Sequence, residues 1–541
     1  NVPQRSQLTC YCNVFVAMRM QRWLKQTYSQ QRCKRRRGFS SIPSVVTSSI
    51  DNELVAVRIA PDGKDSWDSY VNRSPATGLS LCQVQLPTQS EINAAIASSK
   101  KAFPQWSSLS SADRGHVMTE MASLLWKHEK DLVHLETVDS GIPISQIRVN
   151  HIPYAIQTLE YYASLAITGG LSGRTFETPT SFSFTRREPL GVCAAFGPWN
   201  YPLVSMMWKL APALACGNTL IYKPSECTPL TAWYAAKLWK DVLPCGILQV
   251  LTGDADTARQ LVRHEDIAKV SLTGSVATGI SVAKESAATL KRTTLELGGK
   301  SPLLVFSDAV LDSAVRVAVE GNFVNNGQVC SNCTRVYVQQ GIVEEFLSRV
   351  VSRLNKIVVI GDNTSEATNM GPLMTPPRHP SQHYDKVVGY IERAKIDSQV
   401  DLICGGKGYK TAGGHYVEPT VFLSKADDSE ITREETFGPI MTVLSFETEE
   451  EAIARANQSP FGLAAGVMTR DVTRAHRVSR QLQAGNVWVN NWNICPVEMP
   501  FPTSKQSGYG NELGIEALQS YSQTKHVYME MEDIDDDSNF F

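Results

Sequence analysis

The sequence predicts an α/β protein, on three observations. From about residue 190, short apolar runs alternate with helical patterns: GVCAAF (191–196), TLIY (219–222), ILQVL (247–251) and KVSL (269–272) are separated by amphipathic stretches. Each run ends abruptly in a polar, Gly- or Pro-containing turn (GPWNYP, KPSE, TGS), as buried parallel strands do. The 541 residues, 42% hydrophobic and 20% charged, suit a globular chain with more than one core.

Taken in order, SEINAAIASSKKAFPQW (90–106) and residues 111–135 read as helices, and SFSFTRRE (181–188) alternates like a strand with one solvated face. After the strand at 191–196, residues 203–217 form a helix stopped by Gly217. Thr228 and Pro229 read as N-cap and first residue of a helix whose Leu230, Trp233, Tyr234 and Leu238 share a face. TGSVATG (273–279) opens another helix. Strands LLVF (303–306) and NVWVN (486–490) and the helix at 346–357 indicate a second α/β domain, and TKHVYME (524–530) again alternates.

Residues 1–50 contain nine Lys/Arg and no acid, although net charge is only −2. That composition, with RGFSS at 37–41, resembles a mitochondrial presequence, and matrix import is expected, with the cytoplasm as alternative. Residues 532–541 form an acidic tail. The near-neutral total does not call for nucleic acid, and no stretch of 18 apolar residues calls for a membrane span. Twelve scattered cysteines do not make a disulfide scaffold.

Ligands of an open α/β sheet lie beyond its strand ends. Lys223 and Glu226, in KPSE, are placed to bind the two hydroxyls of a ribose, and a carboxylate there disfavours a 2′-phosphate. Gly274 and Ser275 start a helix that can meet a pyrophosphate. In NNGQVCSNCTR (325–335), Cys330 and Cys333 have no companion ligand motif, so no metal is expected. Glu296 lies on an apolar strand just before Gly298 and Gly299, where its pKa is expected to rise and suit it to act as a base. Asn200 offers an amide to an oxyanion.

LELGGKS (295–301) and FVNNGQVCSNCT (323–334) resemble the glutamate and cysteine signatures of the NAD(P)-dependent aldehyde dehydrogenases, and FGPWNYP, YKPSE, LTGS, EETFGP and PF…KQSGYG follow in that family's order. The resemblance covers residues 50–530 and implies Cys330 as nucleophile, Glu296 as base and Asn200 as oxyanion donor. It implies NAD contacts at Phe196, Pro198, Trp199, Lys223, Glu226, Gly274, Ser275, Val276 and Gly279, with Glu435 and Phe437 at the nicotinamide ribose. A thiolate at Cys330, favoured by backbone donors, would attack an aldehyde and form a thioester that Glu296-activated water hydrolyses.

The implied architecture is a Rossmann-like NAD-binding domain (51–170 and 190–298), a catalytic domain (299–500) and oligomerisation strands (171–189 and 518–531) building a homotetramer or homodimer. WNYPLVSMMWK, GQVCSNCTRVYVQ and NICPVEMPF are most similar to the 4-trimethylaminobutyraldehyde and betaine aldehyde dehydrogenases, which implies a small aldehyde bearing a quaternary ammonium, held by Tyr201, Trp208 and Trp492. The alternatives are a broad aliphatic aldehyde dehydrogenase or a catalytically silent relative. The sequence departs from the family at Cys333 and at Pro502-Thr503, where glycines are usual; Cys333 is expected either to replace glycine passively or to trap Cys330 by oxidation.

Overall fold

The computed structural model describes residues 69–170 and 172–532, together with the backbone of 45–46, 49–50 and 53–54. The basic presequence-like segment through residue 42 and the acidic residues 533–541 lie outside the described residues. Among those described, no helix is long and apolar enough to cross a membrane, and no cluster of His, Cys, Asp or Glu could hold a metal ion.

The first sheet grows from the predicted apolar runs. A helix α1 (Glu129–Ser140) precedes strand β1 (Val192–Phe196), helix α2 (Pro202–Ala215), β2 (Thr219–Lys223), helix α3 (Leu230–Trp239), β3 (Leu248–Val250), β4 (Ile267–Thr273), helix α4 (Val276–Ala287) and β5 (Arg292–Glu296). The five strands run parallel in the order β5-β4-β1-β2-β3. Chain order therefore reverses at β1, and a crevice opens beyond the carboxyl ends of β1 and its neighbours. The parallel strands are buried along nearly their whole length, which is why they read as unbroken apolar runs. Ser49–Ile50 pairs antiparallel with β3, and Val45–Val46 pairs with Ser80–Gln85, so the fold begins before residue 51, where the sequence placed its start.

The second sheet contains β6 (Pro302–Val305), β7 (Arg335–Gln339), β8 (Thr420–Ser424), β9 (Ile440–Phe446), β10 (Ala464–Met468) and β11 (Asn486–Val489) in the order β8-β9-β7-β6-β10-β11, with Val400–Cys404 antiparallel at one edge. Helix α5 (Leu311–Phe323) follows β6 and leads into the NNGQVC loop. Thr175–Glu177, Ser181–Pro189 and Ser522–Glu530 form a separate three-stranded antiparallel sheet, with nine consecutive pairs between the last two.

One local expectation fails. Thr228 does not cap α3; its hydroxyl donates to the Trp199 carbonyl instead (3.3 Å), and the helix starts at Leu230 without a side-chain cap of its own.

Candidate active site

The loop carrying Cys330 is fixed by backbone geometry that asparagine tolerates and most residues resist. Asn325 and Asn326 have φ of 57° and 58°, and each is locked by hydrogen bonds. Asn325 N–H donates to Gln146 Oε1 (2.9 Å), while Asn326 Nδ2 donates to the Pro372 carbonyl (2.9 Å). Gly327 (φ 74°) lies against Gly438, where a Cβ would come within 2.3 Å of backbone. This frame presents Cys330 half-buried at the junction of the two sheets.

Asn200 is buried at the end of the β1 turn. Its Nδ2 donates to the Gln328 carbonyl (2.8 Å), and its own carbonyl accepts from Asn325 Nδ2 (3.1 Å), so the amide is held within the cysteine loop. An amide nitrogen has two protons, which leaves the second N–H of Asn200 for an oxyanion.

Glu296 ends β5, is buried, and has no hydrogen-bond partner on either carboxyl oxygen. Burial first, then the charge of Glu512, raise its pKa well above the carboxylate range, while Lys209 opposes them. Lys209 and Glu512 form a fully buried ion pair (2.7 Å), and Lys209 Nζ also reaches Thr273 Oγ1 (2.9 Å), the β4 residue directly beside Glu296. Glu512 also accepts from Ser271 Oγ (3.0 Å). A polar chain thus runs beside the glutamate.

Cys330 itself departs from expectation. Burial, with the carboxylates of Glu435 and Glu296 nearby, pushes its thiol up to about 12, although two backbone N–H groups act the other way. Backbone donors do not outweigh those three effects, so the free protein holds a thiol rather than a thiolate.

The crevice beyond β1, β2 and β4 gathers the residues expected around a dinucleotide. Phe196 ends β1, Pro198 and Trp199 follow it, and Trp199 packs edge-on against Phe437 (centroids 5.2 Å). Lys223 is buried at the end of β2, with its ammonium on the Pro224 carbonyl (3.0 Å), and burial lowers its pKa. Glu226, next to it, has its pKa raised by burial against the pull of Lys223. Ser275 caps α4 by accepting from Thr278 N–H (3.2 Å), so Gly274, Ser275 and Val276 lie at a positive helix end. Gly279 lies one turn in, where a Cβ would meet Leu297 at 2.5 Å; its absence lets α4 lie on β5.

Glu435 accepts from Gly299 N–H (3.2 Å) and is raised to about 7, chiefly by burial. A Cβ on Gly298 would lie 2.2 Å from its carboxyl oxygen. Phe437 has φ 57°.

Beside Cys330, an apolar cluster of Leu463, Phe501 and Leu513 is joined by Tyr154, Trp208, Trp488 and Cys495. Trp208 packs on Phe501 (centroids 5.2 Å), and Tyr154 donates to the Cys495 carbonyl (2.8 Å). Tyr201 stacks on His151 (4.5 Å) and lies near enough to Cys330 to feel its charge. Trp492 is not part of this wall. Its ring fills the core between Gly321 and Gly466, where added Cβ atoms would meet it at 3.1 and 2.4 Å, and its Nε1 donates to the Ser331 carbonyl (3.1 Å). Cys333 is fully buried in that same core, against Gly321 and Asn322, whereas Cys330 faces the aromatic cluster. It serves as packing in that core.

A family model described as "Aldehyde dehydrogenase family" matches residues 63–527. The chain belongs to that family. It is 46% identical over 459 residues to a betaine aldehyde dehydrogenase of Rhizobium johnstonii, covering 84% of this chain and 93% of the relative. It is 44% identical over 486 residues to 4-trimethylaminobutyraldehyde dehydrogenase A of Danio rerio, covering 88% and 93%. Among solved structures, the NAD+ complex of an aldehyde dehydrogenase from Bacillus cereus superposes with a TM-score of 0.84 at 36% identity, covering 90% of this chain and 97% of that one.

Sequence inspection missed Lys209, Glu512, Tyr154, Trp488 and Phe501. Lys209 had a signal: a lone cation in the apolar helix PLVSMMWKLAPALA requires a buried partner. That partner lies 303 residues away and could not be paired by pattern.

Proposed function

We propose that this chain oxidises aldehydes to carboxylic acids with NAD, by hydrolysis of a cysteine thioester, and that its substrates carry a quaternary or primary ammonium group. The observation that carries the proposal is the convergence on Cys330 of an oxyanion donor, Asn200, and a buried, unpartnered carboxyl, Glu296. The crevice fits NAD: Lys223 and Glu226 suit a ribose diol, the α4 start a pyrophosphate, and Glu435 a second ribose.

Cys330 loses its proton to solvent, its sulfur bonds to the carbonyl carbon, and the second Asn200 N–H stabilises the oxyanion. NAD, which Lys223, Glu226, the start of α4 and Glu435 would hold, would supply the hydride acceptor that collapse of the oxyanion requires. The Glu296 carboxylate then takes a proton from water as that water attacks the thioester. The carbon–sulfur bond breaks, the acid leaves, and Cys330 recovers its proton. Glu296 is the reason to expect hydrolysis rather than transfer to a thiol acceptor.

Trp208, Trp488, Tyr154 and Phe501 line the approach with aromatic faces, which attract an alkylammonium. Measuring NADH formation at saturating NAD with 4-trimethylaminobutyraldehyde, betaine aldehyde and hexanal tests this. Higher kcat/KM for the ammonium aldehydes is expected; a preference for hexanal would point to the broad aliphatic alternative, and no turnover with any aldehyde to a silent relative.

The three-stranded sheet exposes Phe176 and Tyr528 on one face, both in register with Ser183, and we propose that a second copy of the chain covers them. A dimer or tetramer is expected by sedimentation. The basic segment is proposed to direct matrix import, which fusion of residues 1–50 to a fluorescent reporter would test.

A further inference from the structure

Two helices carry the turns that build the site: α2 follows Asn200 and Tyr201, and α3 follows Lys223 and Glu226. Neither has a side-chain cap on its own N-terminus, and the residues at those positions, Tyr201 and Pro229, cannot supply the usual one. A helix start without partners for its N–H groups is costly when buried. Both caps come instead from α1.

Glu136 and Asp139 lie three residues apart on α1, hence on one face, and both are at most 1% exposed. Glu136 Oε2 accepts from Leu203 N–H at the start of α2 (3.3 Å), while its Oε1 meets His151 Nδ1 (2.9 Å). His151 in turn stacks on Tyr201, the neighbour of the oxyanion residue. Asp139 Oδ2 accepts from Leu230 N–H, the first residue of α3 (3.0 Å), and its Oδ1 accepts from Asn72 Nδ2 (2.5 Å). Thr228, the expected cap of α3, is turned toward Trp199 in the other turn.

We propose that Glu136 and Asp139 are positioning residues that cap α2 and α3 in trans, so that a single helix sets both the oxyanion turn and the ribose turn. Glu136, with His151, governs the aldehyde chemistry; Asp139 governs hold on the cofactor. The proposal rests on the aldehyde-oxidising, NAD-binding assignment of the site.

Apolar replacements of similar size, Glu136→Met and Asp139→Leu, keep the packing but remove the acceptors, at a cost in stability because His151, Asn72 and the helix N–H groups lose their partners. Asp139→Leu is expected to weaken NAD about tenfold by titration calorimetry while kcat at saturating NAD stays near wild type. Glu136→Met is expected to lower kcat about tenfold with NAD affinity little changed. Glu136→Gln and Asp139→Asn retain an acceptor oxygen and should restore most of each loss. Variants that move both parameters together, or neither, would overturn the proposal. Should the apolar variants prove insoluble, hydrogen exchange on the wild-type protein decides: Leu203 and Leu230 amides are expected to be strongly protected, and rapid exchange at either would overturn it. Wild-type protein that binds NAD but oxidises no aldehyde would refute the functional assignment alone, since the calorimetric arm still tests the cap of α3.

Discussion

Replacing Lys209 with methionine tests stability and catalysis through one buried pair. Lys209 and Glu512 are fully buried and 2.7 Å apart, so removing the ammonium strands a buried carboxylate. Breaking a buried pair on one side costs about 3–5 kcal/mol, whereas replacing both partners by apolar groups is often neutral. Lys209→Met should therefore unfold at markedly lower denaturant, and Lys209→Met/Glu512→Leu should recover most of that loss. The same change acts on Glu296, whose pKa Lys209 holds down against burial and Glu512. With that cation gone, the Glu296 pKa should rise further. Its carboxylate is the form that activates water, so the rising limb of kcat against pH should shift to more alkaline values. The double variant also loses the raising effect of Glu512, and its limb should move back. Equilibrium unfolding in urea and kcat profiles across neutral and alkaline pH measure both. Single and double variants of equal stability, with an unmoved limb, would refute the reasoning.

Wild-type kcat should rise with pH through neutrality, since burial holds the Cys330 thiol protonated there and raises Glu296 in the same direction, and each must lose its proton to act; a kcat that falls with rising pH over that range would contradict it. Trp208→Ala should cost efficiency on 4-trimethylaminobutyraldehyde more than on hexanal, because its ring faces the aromatic cluster beside Cys330. Trp492→Ala should instead cost about 3–5 kcal/mol of stability without discriminating between the two aldehydes, as read by denaturation and a substrate pair. Gly298→Ala should displace the Glu435 carboxyl, which would lie 2.2 Å from the new methyl, and weaken NAD binding by calorimetry.

Local patterns revealed much of the fold and the reacting residues. The buried strands β1, β2 and β4 stand out because covered parallel strands are continuous apolar runs, and the turns after them mark a ligand crevice wherever chain order reverses. Cys330 was recognisable through the resemblance of its segment to the family's cysteine signature, and Glu296 also through its place on an apolar strand before two glycines. What stayed hidden depends on distance along the chain. The Lys209–Glu512 pair, the trans caps from α1 and the aromatic wall join segments between 67 and 341 residues apart. Sequence pattern also misjudged two environments. Trp492 shares a segment with Trp488, yet only the tertiary packing sends one into the core and leaves the other beside Cys330. The thiol pKa depends on two carboxylates, at positions 296 and 435, that arrive from different sheets.

The central claim is that Cys330 carries the acyl group and Glu296 releases it. Glu296→Gln is nearly isosteric, so the fold should hold while hydrolysis slows by about 10²–10⁴-fold. Rapid mixing of that variant with NAD and aldehyde, followed by acid quench and mass spectrometry, should show about one NADH formed per subunit and the acyl mass on the peptide containing Cys330. Undiminished steady turnover in Glu296→Gln, or an acyl mass found on any other residue, would contradict the account.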